Sequence, residues 1–235
     1  MIPEKNIFEE GQLLLFDKPL NWTSHDLINK IRIMIRKNMG LKKIKVGHAG
    51  TLDPLATGLM IICTGKFTKR LEEFNNLEKE YIATFHLGET TPSFDLETEV
   101  DERYPTAHIT VEMIKIALQG FLGEQLQEPP LFSAKFIDGK RAYEFARKGV
   151  ERKLEPSRIF IHEIEMLNYS FPDIKVRLRC SKGTYIRAIA RDIGKRLESG
   201  AYLTALQRTA VGKFKVTEAT NLEKFQLFLE QLQQN

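Results

Sequence analysis

The stretch GHAGTLDPLATG, residues 47–58, is the most distinctive part of this chain. Its glycines at positions 47, 50 and 58 allow the backbone to approach a ligand closely and to adopt positive φ. Pro54 biases the residue before it, Asp53, away from helical conformation. We therefore predict a rigid loop over residues 47–58 that holds a single carboxylate and leads into a buried strand over residues 59–63.

Asp53 is a candidate nucleophile or general base, because a carboxylate held in a rigid loop beside a basic region can serve either role. A structural aspartate in a turn explains the same pattern equally well. The loop is not a P-loop, since it does not end in Gly-Lys-Ser or Gly-Lys-Thr. The residues of the loop alone leave open whether Asp53 is catalytic.

Basic residues are segregated along the chain, although the net charge is only +4. Residues 27–52 contain no acid, and two later segments are also rich in lysine and arginine. The three basic regions are Lys30, Arg32, Arg36, Lys37, Lys42, Lys43 and Lys45; then Lys140, Arg141, Arg147, Lys148, Arg152, Lys153 and Arg158; then Lys175, Arg177, Arg179, Lys182, Arg187 and Arg191. This segregation favours a face that binds a polyanion such as a nucleic acid, and ordinary solvated faces are the alternative.

Composition excludes several classes of protein. A chain of 235 residues with 42% hydrophobic and 28% charged residues is globular, with room for one large domain or two small ones. Two cysteines, Cys63 and Cys180, provide neither a disulfide framework nor a four-ligand zinc site, so we predict buried thiols in a reducing compartment. No apolar run is long enough to span a membrane, and the N-terminus does not resemble a signal peptide, so we expect a cytoplasmic protein.

The rest of the chain mixes strand and helix patterns irregularly, which predicts an α+β fold around a mostly antiparallel sheet. Two helices are predicted to begin at the caps Ser24 and Thr184, each with an apolar stripe, and Asp138-Gly139 is predicted to be the turn of a hairpin. Alternating residues predict strands over 81–87 and 174–180. Further strands are expected over 12–16 and 159–169, and a terminal helix over 221–232.

The loop 47–58 resembles the catalytic loop of the TruB family of tRNA pseudouridine synthases, with its Gly-Thr-Leu-Asp-Pro core. Further segments resemble motifs of that family and follow in the family's order, so that the resemblance extends over residues 13–214. They are DKPLNWTS (17–24), KEYIATFHLGETTPSFD (79–95), QEPPLFSAKFIDGKRAYEFARKG (127–149), CSKGTYIRAIARDIG (180–194) and AYLTALQRTAVGKF (201–214).

The resemblance implies a pseudouridine synthase fold, with a mostly antiparallel mixed sheet flanked by helices and a thumb-like insertion. It also implies one catalytic domain over residues 1–235. Many members carry a C-terminal PUA domain, and we expect this chain to depart from them, because about twenty residues follow Phe214. The implied activity is the isomerisation of uridine to pseudouridine at position 55 in the T loop of tRNA. This reaction requires no cofactor or metal, and the implied partner is the T-arm stem-loop, bound by a monomer without an obligate protein partner.

The resemblance also implies roles for individual residues. Asp53 is the implied nucleophile, Arg187 its charged partner, and Tyr81 the platform for the uracil ring, with a possible part in proton transfer. Tyr185 and Leu206 are implied as a wall and an apolar floor of the pocket, and His48 as a filler of the vacated base stack. Lys42, Lys43 and Lys45 are candidate contacts to the RNA backbone. Without the resemblance, Tyr81 and Leu206 are ordinary core residues and Arg187 a surface arginine.

Three other functions remain as alternatives. They are an RNA-guided synthase that acts on ribosomal RNA, a catalytically idle RNA chaperone on the same fold, and a generic carboxylate hydrolase, for which no second catalytic acid is apparent. One departure from the family is Asn21, which stands where the family usually has glycine. The chemical route of Asp53 is also open: attack on the ribose, addition to the pyrimidine ring, or assistance to a glycal intermediate. All three routes require an ionised carboxylate.

Overall fold

The computed structural model describes residues 7–133, 135–137, 139–150, 152 and 154–234. Helices and strands alternate irregularly along them, as the sequence predicts. The helices are α1 Ile7–Glu10, α2 Ser24–Met39, α3 Leu71–Asn75, α4 Val111–Gln119, α5 Ala142–Ala146, α6 Ile186–Arg196 and α7 Leu222–Gln234, with 3-10 helices at Gly65–Arg70 and Val216–Glu218. The strands are β1 Leu13–Lys18, β2 Val46–Ala49, β3 Ala56–Thr64, β4 Lys79–Leu87, β5 Glu89–Thr90, β6 Glu102–Arg103, β7 Gly123–Gln127, β8 Phe136–Ile137, β9 Lys140–Arg141, β10 Ser157–Ser170, β11 Asp173–Cys180, β12 Ala201–Val211 and β13 Phe214–Lys215.

These residues form two compact units. The first unit runs to Glu80 and resumes at Gln207, and the second is Tyr81–Leu206. Strands β4 and β12 each have residues in both units.

The first unit is built around the buried strand β3. Strands β1 and β2 both pair antiparallel with β3, and β12 is a further neighbour of it. The predicted apolar stripe of α2 is buried, with Leu27, Ile28, Ile31, Met34 and Ile35 on the inner face. Each such side chain contributes about 1.5–3 kcal/mol on burial. The terminal helix α7 places Phe225 against Phe16, with ring centroids 5.1 Å apart, which confirms the helix predicted over residues 221–232.

The second unit contains a sheet in the order β12, β4, β11, β10 and β7. Strand β10 pairs antiparallel with both β11 and β7. Burial alternates along β4 and β11 as predicted, so that one face of each strand lies in the core. Helix α6 buries its predicted stripe, which includes Ile186, Ile189, Ala190 and Ile193. Helices and antiparallel strand pairs confirm the α+β class.

The segment resembling a thumb contains the predicted hairpin. Phe136 faces Arg141 and Ile137 faces Lys140 across the short strands β8 and β9. Residues 131–133 form bends ahead of the hairpin, and β8 is only two residues long. Asp138 of the predicted turn and Lys153 of the second basic region lie outside the described residues.

Candidate functional site

The loop that carries Asp53 is shorter than the sequence predicts. Strand β2 extends to Ala49 and β3 begins at Ala56, so only residues 50–55 form the connection. The carbonyl of Asp53 accepts a hydrogen bond of 3.1 Å from the amide of Ala56, and the Asp53 side chain is half-buried. Gly58 lies within β3 with φ of 104°, and a Cβ there would come within 2.3 Å of the Arg208 carbonyl oxygen. The glycine is therefore required by the approach of β12 and not by a turn.

Lys18 anchors the C-terminal side of this loop. The pairing of β1 with β3 places Lys18 opposite Gly58, and the lysine is completely buried. Its Nζ donates to the carbonyl oxygens of Trp22 at 2.6 Å, Pro19 at 2.9 Å and Pro54 at 3.3 Å. The ammonium thus ties the DKPLNWTS segment to the residue that directly follows Asp53.

Ser24 anchors the residue before Asp53, and it is not the helix cap that the sequence predicts. The N-cap of α2 is Thr23, which forms a capping box with Asp26. The Ser24 hydroxyl donates to the Leu52 carbonyl and accepts from the Leu52 amide, both at 2.9 Å. The local pattern did not separate the two neighbouring hydroxyls, because the partner of Ser24 lies 28 residues away.

Asn21 occupies a left-handed backbone conformation with φ of 64°. Glycine adopts this region freely, and asparagine tolerates it better than most other residues. The Asn21 amide donates to the Pro54 carbonyl at 2.9 Å. Asparagine at the position where the related family usually has glycine therefore preserves the turn that meets the Asp53 loop.

The pKa of Lys18 is lowered to about 8, mainly by burial, and the negative charge of Asp53 opposes this shift. The positive charge of Arg208 lowers it further, and Asp17 and Asp26 raise it. The Lys18 ammonium and the Asp53 carboxylate are therefore electrostatically coupled within the first unit.

The lowered pKa of Lys18 predicts a specific dependence of stability on pH. The folded protein releases this proton near pH 8, whereas the unfolded chain keeps it up to the ordinary value of 10.5. Because the unfolded state binds more protons between these values, this group makes the free energy of unfolding rise with pH across the window. Relative to Lys18→Met, we expect the native protein to gain up to about 1 kcal/mol per pH unit, measured by urea denaturation at about pH 7.5 and about pH 9.5. A constant difference between the two proteins would contradict the shift.

His48 lies on β2 and is half-buried. Its Nδ1 is shielded from solvent and has no hydrogen-bond partner among the described residues. Burial, Arg208 and His25 all lower the pKa of His48, in that order of importance. The imidazole is therefore neutral near pH 7, a form that can stack on a base without the desolvation cost of a buried charge.

Tyr81, Tyr185, Arg187 and Leu206 all belong to the second unit. Tyr81 is buried on β4, and Leu206 is half-buried on β12. Tyr185 is the N-cap residue of α6, whereas the sequence predicts Thr184 as the cap. The Thr184 hydroxyl instead donates to the Ser181 carbonyl at 3.0 Å, and so stabilises the turn before the helix.

The buried amide of Gln127 holds the backbone of Tyr185 from both sides. Its Oε1 accepts from the Tyr185 amide at 2.8 Å, and its Nε2 donates to the Tyr185 carbonyl at 3.1 Å. Gln127 ends β7, 58 residues before Tyr185 in the chain, and sequence reasoning missed it. The resemblance of residues 127–149 to a family motif was the one available signal.

Arg187 is buried, with 4% of its surface exposed, and is not a surface arginine. Its Nε lies 3.5 Å from an Asp95 carboxylate oxygen, and both side chains are almost fully buried. Its two terminal nitrogens donate to the carbonyl oxygens of Ser93 at 3.2 Å and Phe132 at 2.9 Å. Asp95 is a second residue that sequence reasoning missed, because nothing in its own segment indicates an arginine partner.

The basic regions differ in how their charges are presented. Lys42, Lys43 and Lys45 are all exposed, as a surface that contacts RNA requires. The third region is only in part an open cationic face, because Arg187 is buried and β10 supplies carboxylates opposite β11. Arg177 pairs with Glu165 at 2.7 Å, and Arg179 pairs with Glu163 at 2.6 Å.

Cys63 and Cys180 are buried and neither forms a disulfide, which confirms that both are buried thiols. Among the described residues, no group of three or more histidine, cysteine, aspartate or glutamate side chains is arranged to hold a metal ion. None of the described helices is long and apolar enough to cross a membrane.

Comparison with known proteins identifies similar chains over nearly the whole length. The model of the TruB family pseudouridylate synthase N-terminal domain matches residues 36–186. The "tRNA pseudouridine synthase B" of Phocaeicola vulgatus is 59% identical over 224 residues, which cover 95% of each chain. The protein of the same name from Flavobacterium johnsoniae is 50% identical over 231 residues, covering 98% of this chain and all of the other.

Solved structures support the same fold. A crystal structure of a Cbf5-Nop10-Gar1 complex contains a chain that matches with a TM-score of 0.71 and 27% identity. A crystal structure of the archaeal box H/ACA sRNP Nop10-Cbf5 complex matches with a TM-score of 0.68 and 23% identity, which is evidence for the fold alone. These matches cover 94% and 95% of this chain but 55% of each solved chain, so this chain spans about half of their length.

Proposed function

This chain belongs to the TruB family of pseudouridylate synthases, and on that premise we propose that it isomerises uridine to pseudouridine at position 55 in the T loop of tRNA. The observation that carries the proposal is the likeness, over 95% of the chain, to relatives named as tRNA pseudouridine synthases. The pseudouridine synthase fold expected from the sequence agrees with this membership. We propose that residues 1–235 act together as one catalytic domain, in a cytoplasmic monomer without cofactor, metal or obligate protein partner.

Asp53 is the proposed nucleophile. A nucleophilic carboxylate must be ionised and held in one orientation. Support comes from the contacts around it: Ser24 binds both backbone groups of Leu52, and Lys18 binds the carbonyl of Pro54. The residues on either side of Asp53 are thus restrained, and the positive charge of Lys18 favours the ionised carboxylate.

The other roles follow the family resemblance, and the second unit offers support for them. Arg187 is proposed to keep the catalytic carboxylate charged and oriented, and its own guanidinium is oriented by Asp95 and by two backbone carbonyls. Tyr81 is proposed to stack on the flipped uracil, Tyr185 and Leu206 to line the pocket, and neutral His48 to replace the base in the stack.

Incubation of the purified chain with an unmodified tRNA transcript tests the proposal directly. Chemical mapping of pseudouridine should find one modified nucleotide, the uridine at tRNA position 55, in full-length tRNA and in the isolated T-arm stem-loop. A transcript with cytidine at that position is the control and should remain unmodified. A protein that reacts only after addition of a guide RNA and partner proteins would instead be an RNA-guided synthase, and RNA binding without turnover would indicate a chaperone.

The exposed lysines of the first basic region should contribute to RNA affinity through phosphate contacts. Replacement of Lys42, Lys43 and Lys45 together by glutamine should flatten the dependence of log affinity on log salt, by about one unit or less per lost contact. Affinities measured at several salt concentrations give this slope.

A matched control removes three exposed lysines from separate elements, Lys115, Lys213 and Lys224, and changes the net charge equally. Its salt slope should stay close to that of the native protein. Equal slopes for the two triple variants would show that the loss of total charge, and not a contact surface at residues 42–45, governs binding.

A further inference from the structure

Arg208 is a buried cation that has no role in the mechanism proposed above. It lies on β12, and 1% of its surface is exposed. Among the described residues, no carboxylate lies within ion-pair distance of its guanidinium. Burial of an arginine without a carboxylate partner is costly, so the contribution of Arg208 to folding does not by itself explain its presence.

The guanidinium instead binds two backbone carbonyls that flank the Asp53 loop. Its Nε donates to Leu59 O at 2.7 Å, and its Nη2 donates to Gly50 O at 3.0 Å. Gly50 is the first residue of the loop over residues 50–55, and Leu59 lies in β3, beyond the last loop residue. One planar group therefore links the two ends of the segment that carries Asp53. Arginine suits this role because its donors are fixed in a fork, whereas a lysine has a single ammonium.

The surroundings of the guanidinium are tightly constrained. A Cβ at Gly50, where φ is 79°, would lie 3.1 Å from Arg208 Nη1. The positive charge of Arg208 also lowers the pKa of Lys18 and of His48. Arg208 therefore acts on the loop through hydrogen bonds, close packing and charge.

We propose that Arg208 is a positioning residue that links Gly50 to Leu59 and thereby holds the Asp53 loop in its reactive geometry. The proposal rests on the proposed function in that it assigns the loop to catalysis. Lys18 and Ser24 restrain the residues next to Asp53, and Arg208 adds a third restraint at Gly50 and Leu59, on either side of them. Since Arg208 does not itself react, its loss should affect the chemical step more than RNA binding.

Arg208→Lys tests this role, because it keeps the charge and loses the fork. We expect kcat for pseudouridine formation to fall about 10- to 100-fold, with RNA affinity within about threefold of native. Hydrogen exchange of the amides in residues 50–59 should accelerate more than that of other amides in the first unit, and the melting temperature should fall because two carbonyl oxygens lose their donor. Arg196→Lys is the matched control: that arginine also donates to a backbone carbonyl, Ala117 O at 3.4 Å, and should leave kcat unchanged.

A folded Arg208→Lys variant with native kcat and native exchange of residues 50–59 would overturn the proposal. If that variant does not fold, Arg208→Gln provides the test, because a neutral amide leaves no buried charge but cannot reach both the Leu59 and the Gly50 carbonyl oxygens. Native kcat and native exchange of residues 50–59 in Arg208→Gln would then overturn the proposal. The exchange measurement requires no substrate, so failure of the proposed tRNA activity in the native protein remains distinguishable from failure of the role of Arg208.

Discussion

Asp53→Asn should reduce kcat for pseudouridine formation by on the order of 10⁴-fold or more, while RNA affinity stays within several-fold of native. The amide is nearly isosteric with the carboxylate but carries no charge, and every chemical route considered for Asp53 requires the ionised group. The side chain is half-buried and the backbone is restrained on both sides of it, so the loop should keep its conformation when the amide replaces the carboxylate. Single-turnover assays with tRNA transcript, together with filter binding, separate the two effects.

Asp17→Asn is the matched control for this variant. It removes the same charge from an exposed residue of the neighbouring strand β1, one residue before Lys18. We expect its kcat to remain within several-fold of native. Substantial turnover by Asp53→Asn, in a preparation free of contaminating enzyme, would exclude Asp53 as the nucleophile.

Arg187→Met should destabilise the protein by about 3–5 kcal/mol, because it leaves the Asp95 carboxylate buried without its partner. Two buried carbonyl oxygens, those of Ser93 and Phe132, would also lose a donor. Turnover should be lost as well, since Arg187 is proposed to keep the catalytic carboxylate charged and oriented. Urea denaturation measures the free energy of unfolding independently of activity.

The double variant Arg187→Met with Asp95→Leu separates stability from catalysis. Replacing both partners of a buried ion pair by apolar groups removes the uncompensated charge, so we expect at least half of the lost stability to return without turnover. The exposed pair Arg177 and Glu165, changed to Met and Leu, is the control and should cost about 1 kcal/mol or less. Recovery of turnover in the double variant at residues 187 and 95 would remove Arg187 from the mechanism.

The elements predicted with the correct position have in common that their signal is local. The apolar stripe of α2 and the alternation along β4 follow from the periodicity of neighbouring residues, and burial confirms both. The terminal helix predicted over residues 221–232 is α7, Leu222–Gln234. Hydrophobic periodicity predicts these elements because the buried face of a helix or strand repeats every few residues. The TruB motifs added the family, since they combine specific residue types at specific spacings.

Helix caps and the bounds of the Asp53 loop were predicted incorrectly, for a related reason. Ser24 and Thr184 are sound cap residues by type, but the caps are Thr23 and Tyr185. Residues 47–49 and 56–58 were assigned to the loop because they include glycines, and the structure places them in β2 and β3. A partner distant in sequence determined the outcome for Ser24, which binds Leu52, and for Gly58, which the backbone of Arg208 approaches. Thr184 instead binds the Ser181 carbonyl, three residues away.

The sequence by itself determined the family, the fold class and the loop that presents Asp53, because these follow from local periodicity and from motifs of contiguous residues. Only the tertiary structure revealed the groups that hold the candidate residues in place. Asp95 orients Arg187, Gln127 holds Tyr185, and Arg208 links the ends of the Asp53 loop, across separations of 58 residues for Gln127 and 158 for Arg208 and Gly50. Such contacts form where strands and helices pack together, so no spacing along the chain indicates them.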